Sequence, residues 1–71
     1  MSIGERIKNR RQEIRLTQTE LATAIHSTKQ SIYKYEKGIV TNIPVNKIEA
    51  IAEKLLVAPE YLLGWTDTQL K

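Results

Sequence analysis

LTQTELATAIHSTKQSIYKYEKG, residues 16–38, is the stretch on which the fold turns. Thr17-Gln18-Thr19-Glu20 reads as a capping box: the Thr17 hydroxyl accepts from the Glu20 amide, and the Glu20 carboxylate reaches back to the Thr17 amide. Leu16 before the cap and Leu21 at the fourth helical position form a hydrophobic staple. Two independent start signals therefore place a helix start at Thr17. That helix turns Leu21, Ala22 and Ile25 inward and ends near Ala24. Ile25-His26-Ser27 separate it from a new cap at Thr28. A further helix runs from Thr28 to about Lys37, and Gly38 ends it as a left-handed C-cap.

Two short helices joined by a three-residue turn after a capping box make a helix-turn-helix, here over residues 17–37. The second of these helices has two contrasting sides. At about 100° per residue, Ile32 and Tyr35 define its buried direction. Gln30, Tyr33, Lys34 and Lys37 face the opposite way, and Lys29 sits to one flank. Glu36 points back toward the core, so the outward face carries amines, an amide and a phenol but no acid. Exposed helices usually mix charge signs. A face of donors without carboxylates suits phosphates and the edges of purines; the bland alternative is a solvated basic face.

Outward from this segment the helical reading continues. Helix 1 spans about Ile3 to Ile14, with Ile3, Ile7 and Ile14 as its buried stripe and Arg10 where a fourth apolar residue belongs. After a loop from Ile39 to Ile43, Pro44 suits the first turn of helix 4. Ile48, Ile51, Ala52 and Leu55 recur there at i, i+3, i+4 and i+7. Pro59 opens a short helix 5, Ala58 to Leu63, and Gly64 stops it. Strand-like alternation is missing, so the expected fold is all-α, a compact five-helix bundle. The expected domain is residues 1–65, followed by a polar tail or start of a linker at 66–71.

Composition narrows the function. The chain has 71 residues and a net charge of +3, enough for one domain with a modest core. Residues 1–40 hold eight Lys/Arg against four Asp/Glu, whereas residues 41–71 hold three against four. The positive potential thus belongs to the first half, as a polyanionic partner requires. There is no cysteine, and no run approaches the roughly 20 apolar residues of a membrane helix. The expectation is a cytoplasmic protein with no membrane association. His26, the only histidine, has no partners for metal binding or catalysis. Gly4 is too isolated for a nucleotide loop. With no nucleophile–base set, no acid pair at useful spacing and no glycine-rich phosphate loop, we expect no enzyme, no cofactor and no metal site.

The ordered signature Thr17-Gln18…Glu20-Leu21-Ala22…Ile32…Tyr35-Glu36…Gly38 resembles the helix-turn-helix of the lambdoid phage repressor and Cro family. The likeness extends over GERIKNRRQE in helix 1 and IPVNKIEAIAEKLLVAPEYLLGW in helices 4 and 5. It implies a lambda-repressor-like fold, operator binding as a dimer, and helix 3 in the major groove. Lys29, Gln30 and Lys34 match the family's base-reading positions, and Gln18 matches its phosphate-binding position on helix 2. Four departures stand out. Arg15 and His26 replace the usual glycines at positions expected to need positive φ, at about 1 kcal/mol each. Ser27 replaces a buried Val or Ile, and the loop before Pro44 is longer than usual.

The chemistry of these positions agrees with that implication. Glutamine bonds N6 and N7 of adenine in a bidentate way, and lysine donates to O6 and N7 of guanine. Tyr33 joins them as a base contact, open between its ring on a thymine methyl and its hydroxyl on a phosphate. Thr28, Ser31, Lys37 and Arg11 join Gln18 as expected DNA backbone contacts. Arg11 has a second assignment, an ion pair with Glu36, because an acid at the end of the reading helix otherwise repels DNA. One short helix contacts too few base pairs for useful specificity, so a near-palindromic duplex operator and a homodimer on it are expected. Tyr61, Leu62 and Trp65 are the expected dimer contacts. The competing reading is a protein-interaction module, such as the antitoxin of a toxin–antitoxin pair. It needs an exposed apolar patch or a disordered tail, and TDTQLK is short and polar.

Overall fold

In the computed structural model, which describes residues 1–69, five helices follow one another: α1 Ile3–Glu13, α2 Gln18–Ala24, α3 Lys29–Lys37, α4 Val45–Leu55 and α5 Pro59–Leu62. No strand occurs among the described residues. The Thr17 capping box is complete, with Glu20 N–H donating to Thr17 Oγ1 at 3.0 Å and Thr17 N–H donating to Glu20 Oε1 at 2.9 Å. Thr28 caps α3, its Oγ1 accepting from the Ser31 amide, and Gly38 closes α3 at φ 73°. A further box, unread in the sequence, starts α1: Ser2 Oγ accepts from the Glu5 amide and Glu5 Oε1 accepts from the Ser2 amide. These Ser2 bonds, backbone first and then hydroxyl, hold the Glu5 carboxyl below its ordinary pKa.

Some boundaries differ from expectation. Ile14 is the C-cap of α1 rather than its last residue. Pro44 stands just before α4, extended at ψ 144°, and helical geometry begins at Val45. With no side-chain cap at that position, the Pro44 carbonyl simply starts the ladder to Lys47 and Ile48. Helix α5 is a single turn with Ala58 and Leu63 as its flanks.

Ile7, Leu21, Ile32, Ile51, Leu55, Val57 and Leu62 are fully buried and form one core. Each helix contributes to it, and Ile43 joins from the α3–α4 loop. α3 packs against both α1 and α2, while α5 packs on α4 and α1. Gly4 makes the α1–α3 approach possible. A methyl group there clashes with the Tyr35 carbonyl and lies 2.9 Å from the Glu36 oxygen, so only a bare Cα fits. Arg10 takes the place of an apolar residue because its Nε donates to the Leu55 carbonyl at 2.8 Å, satisfying a free acceptor in the last turn of α4.

The segment after α5, expected as a polar tail or the start of a linker, makes contacts with the helices. Arg6 donates to the Thr66 carbonyl and to Asp67, and its guanidinium lies 4.6 Å from the Tyr61 ring centroid. The Ala58 amide donates to the Gln69 carbonyl, and Gln69 Nε2 donates to the Tyr61 hydroxyl. Residues 66–69 therefore pack back on α1 and α5. The rest of the expected tail, 70–71, lies outside the described residues.

Candidate nucleic-acid interface

The α3 sequence sorts its side chains by contact. Ile32 is sealed in the core and Tyr35 half-buried, while Lys29, Gln30, Tyr33, Lys34 and Lys37 are exposed. Lys37 Nζ lies 5.9 Å from the centroid of the Tyr33 ring, one turn away, so a cation rests over a polarisable face. Thr28 and Ser31 share a hydroxyl hydrogen bond at 3.0 Å at the start of the helix.

Glu36, the only acid of α3, is 7% exposed. Arg11 Nε donates to its Oε2 at 2.7 Å and Arg11 Nη2 donates to its Oε1 at 3.0 Å, a fork on a carboxylate. Gln18 Nε2 adds a third bond to Oε1 at 3.0 Å, and Arg11 Nη1 donates to the Leu16 carbonyl at 2.7 Å. One carboxylate thus gathers α1, the first residue of α2 and the end of α3. Two consequences follow: the angle between α2 and α3 is tied to α1, and the acid's charge is matched inside the protein. The exposed face of α3 keeps only positive and neutral donors.

The structure brings Arg11 and Glu36 together, which leaves the expected DNA backbone contact of Arg11 only the second hydrogens of its Nη1 and Nη2. All three guanidinium nitrogens already donate within the protein. Gln18 is also partly engaged, though its amide carries a second hydrogen that Glu36 does not use. Two of the three expected dimer contacts, Tyr61 and Leu62, lie inside the fold. Leu62 is fully buried in the core, and Tyr61 is covered by Arg6 and bonded to Gln69. Trp65, by contrast, is 76% exposed. It borders an apolar groove with Val45, Ile48, Pro59 and Leu63, rimmed by Glu49 and Glu60.

Non-glycine residues at positive φ occur at Arg15 (61°), His26 (56°) and Leu56 (61°). The first two are the positions where glycine is usual in the resembled family; Leu56 carries no such signal. Arg15, read from the sequence only as a strained residue, lines a concavity beside α3. Among the described residues no cluster of His, Cys, Asp or Glu can hold a metal ion, and no helix is long and apolar enough to cross a membrane.

Comparisons with known proteins agree on the family and the fold. Residues 7–62 match the family model described as helix-turn-helix. The chain is 39% identical over 69 residues to the HTH-type transcriptional regulator y4wC of Sinorhizobium fredii, covering 97% of this chain and 48% of that protein. It is 36% identical over 59 residues to y4aM of the same organism, covering 83% and 41%. The chain therefore spans about half the length of these relatives, or less. Among solved structures it is similar to the P22 c2 repressor in complex with a synthetic operator, with a TM-score of 0.81 and 25% identity over 89% of this chain and 94% of that one. It is similar also to SinR, a master regulator for biofilm formation, in complex with DNA, with a TM-score of 0.80 and 30% identity over 84% and 95%. A chain of a SinR–SinI protein complex gives a TM-score of 0.81 and 31% identity over 86% and 59%.

Proposed function

This chain belongs to the helix-turn-helix family, and we propose that it is a sequence-specific regulator of transcription, of the repressor type, that binds duplex DNA through α3 in the major groove. The observation that carries this reading is the acid-free outward face of α3, made so by the inward turn of Glu36 onto Arg11 and Gln18. Gln30 and Lys34 meet base edges, with Lys29 at the flank and Tyr33 beside them. Gln18, Thr28, Ser31 and Lys37 hold the sugar–phosphate backbone. The P22 c2 repressor and SinR in their DNA complexes supply the analogy for the partner. An enzymatic role has no support in this fold or family.

Two copies bind half-sites about one helical turn apart. Trp65 and Leu63, with the apolar groove beside them, carry the contact between copies in place of the buried Tyr61 and Leu62. The experiment is selection of bound duplexes from a random pool, followed by titration of the selected site at several salt concentrations. A site with two-fold symmetry and a log–log salt slope of several units supports the proposal. Failure to enrich any sequence, or binding without salt dependence, overturns it. Binding of a different protein at the Trp65 groove, with no DNA binding, would instead support the interaction-module reading.

A further inference from the structure

A concavity beside the reading face carries a charge pattern of its own. It lies where the end of α1, the start of α2 and the start of α3 meet, with Gln12, Arg15, Gln18, Thr19 and Lys29 around it. Its volume of about 640 Å³ and its open mouth admit a sugar–phosphate unit. No carboxylate lines it. Arg11 at its floor is already matched by Glu36, so its net charge comes from Arg15 and Lys29. Neither of these joins an ion pair among the described residues. Lys29 also belongs to the exposed side of α3, which puts the concavity at the border of the DNA-facing surface. Two cations over neutral hydrogen-bonding groups make a seat for one monoanion, and a phosphodiester is that anion along a duplex.

Arg15 sits at φ 61°, where glycine is the easier residue. Its backbone works against the fold while its exposed guanidinium offers the fork that suits phosphate oxygens. We propose that Arg15 clamps a backbone phosphate of bound DNA, with Lys29 across the concavity. The inference rests on the DNA-binding reading of α3 and adds a contact that this reading does not contain.

The test separates stability from binding. Arg15→Gly relieves the left-handed strain, so the melting temperature holds or rises while DNA binding weakens. The weakening is by the same factor on the selected duplex and on a random-sequence duplex, and the salt slope falls by about one unit on both. Arg15→Lys keeps the slope and restores part of the affinity. Lys54→Ala removes the same formal charge from the exposed side of α4, away from the concavity, and leaves the slope as it is. An Arg15→Gly slope equal to that of the unaltered chain, or lowered no more than by Lys54→Ala, overturns the assignment. If the unaltered chain binds neither duplex, the reading of α3 fails and this assignment falls with it. If it binds and Arg15→Gly is indistinguishable from it, only the role of Arg15 is wrong.

Discussion

At the scale of single residues, Gln30 and Glu36 do opposite jobs on the same helix. Gln30 is exposed in the first turn of α3, so its removal leaves the fold alone. Gln30→Ala is expected to lose about 1–3 kcal/mol on the selected site and to relax the preference at one base position, with the salt slope unchanged. Equal weakening on random DNA would show a backbone contact instead. Glu36 is the opposite case. Glu36→Ala strands Arg11 and one Gln18 bond, at a cost of about 3–5 kcal/mol for a well-buried pair. A domain of this size has only about 4–10 kcal/mol in total, so the thermal transition is expected to fall steeply or vanish. The double change Arg11→Met with Glu36→Leu should recover much of that loss, because no buried charge is left alone. A Glu36→Ala melting curve equal to the original would sink the account. The pairing was legible because Glu36 falls on the inward side of a helix that must approach a polyanion. The role of Arg10 was not, since nothing local to helix 1 announces a carbonyl at the end of α4.

Elements are where local chemistry spoke clearly and where it fell silent. The starts of α2 and α3 and the end of α3 follow from Thr17, Thr28 and Gly38, residues whose side-chain or backbone properties act within four positions. The Ser2–Glu5 box had the same signature and a weaker context, since no apolar staple accompanies it. The end of α4 was hidden for another reason. Leu56 adopts φ 61° and is 64% exposed, so neither a glycine nor a burial pattern marks the turn. That turn predicts a simple gain. Leu56→Gly removes about 1–2 kcal/mol of left-handed strain and adds back about 0.5–1 kcal/mol of chain entropy. The net is a stabilisation of up to about 1.5 kcal/mol, or a few degrees in Tm by calorimetry. No change in DNA binding should accompany it. A lowered Tm would mean that the Leu56 side chain makes packing contacts in the folded domain worth more than the left-handed strain.

Across the whole molecule, the reading surface and the apolar groove occupy different parts of the fold and can be uncoupled. Trp65→Ala is expected to leave the stability of the domain within about 0.5 kcal/mol of its starting value, as surface changes do. It should weaken binding to a duplex with two half-sites far more than binding to a single half-site. Equal effects on both duplexes would remove Trp65 from the contact between copies. The groove was only half legible in the sequence. Helix α5 is four residues long, too short for a periodic stripe to separate the buried Tyr61 and Leu62 from the exposed Leu63 and Trp65. The return of Thr66–Gln69 onto Arg6 and Tyr61 was equally hidden, because polar residues carry no pattern that tells docking from solvation. The attachment of α3 has a dynamic consequence. From Ile32 to Glu36 the helix is seated in the core and anchored by Arg11, Gln18 and the bare Cα of Gly4, whereas its first turn is held by the Thr28 cap and little else. A rod fixed near one end pivots there, so thermal motion sweeps the leading turn through the widest arc. On the proposed DNA-binding reading, the turn that carries Lys29 and Gln30 is thus the part of α3 with the most freedom to adjust on the nanosecond scale.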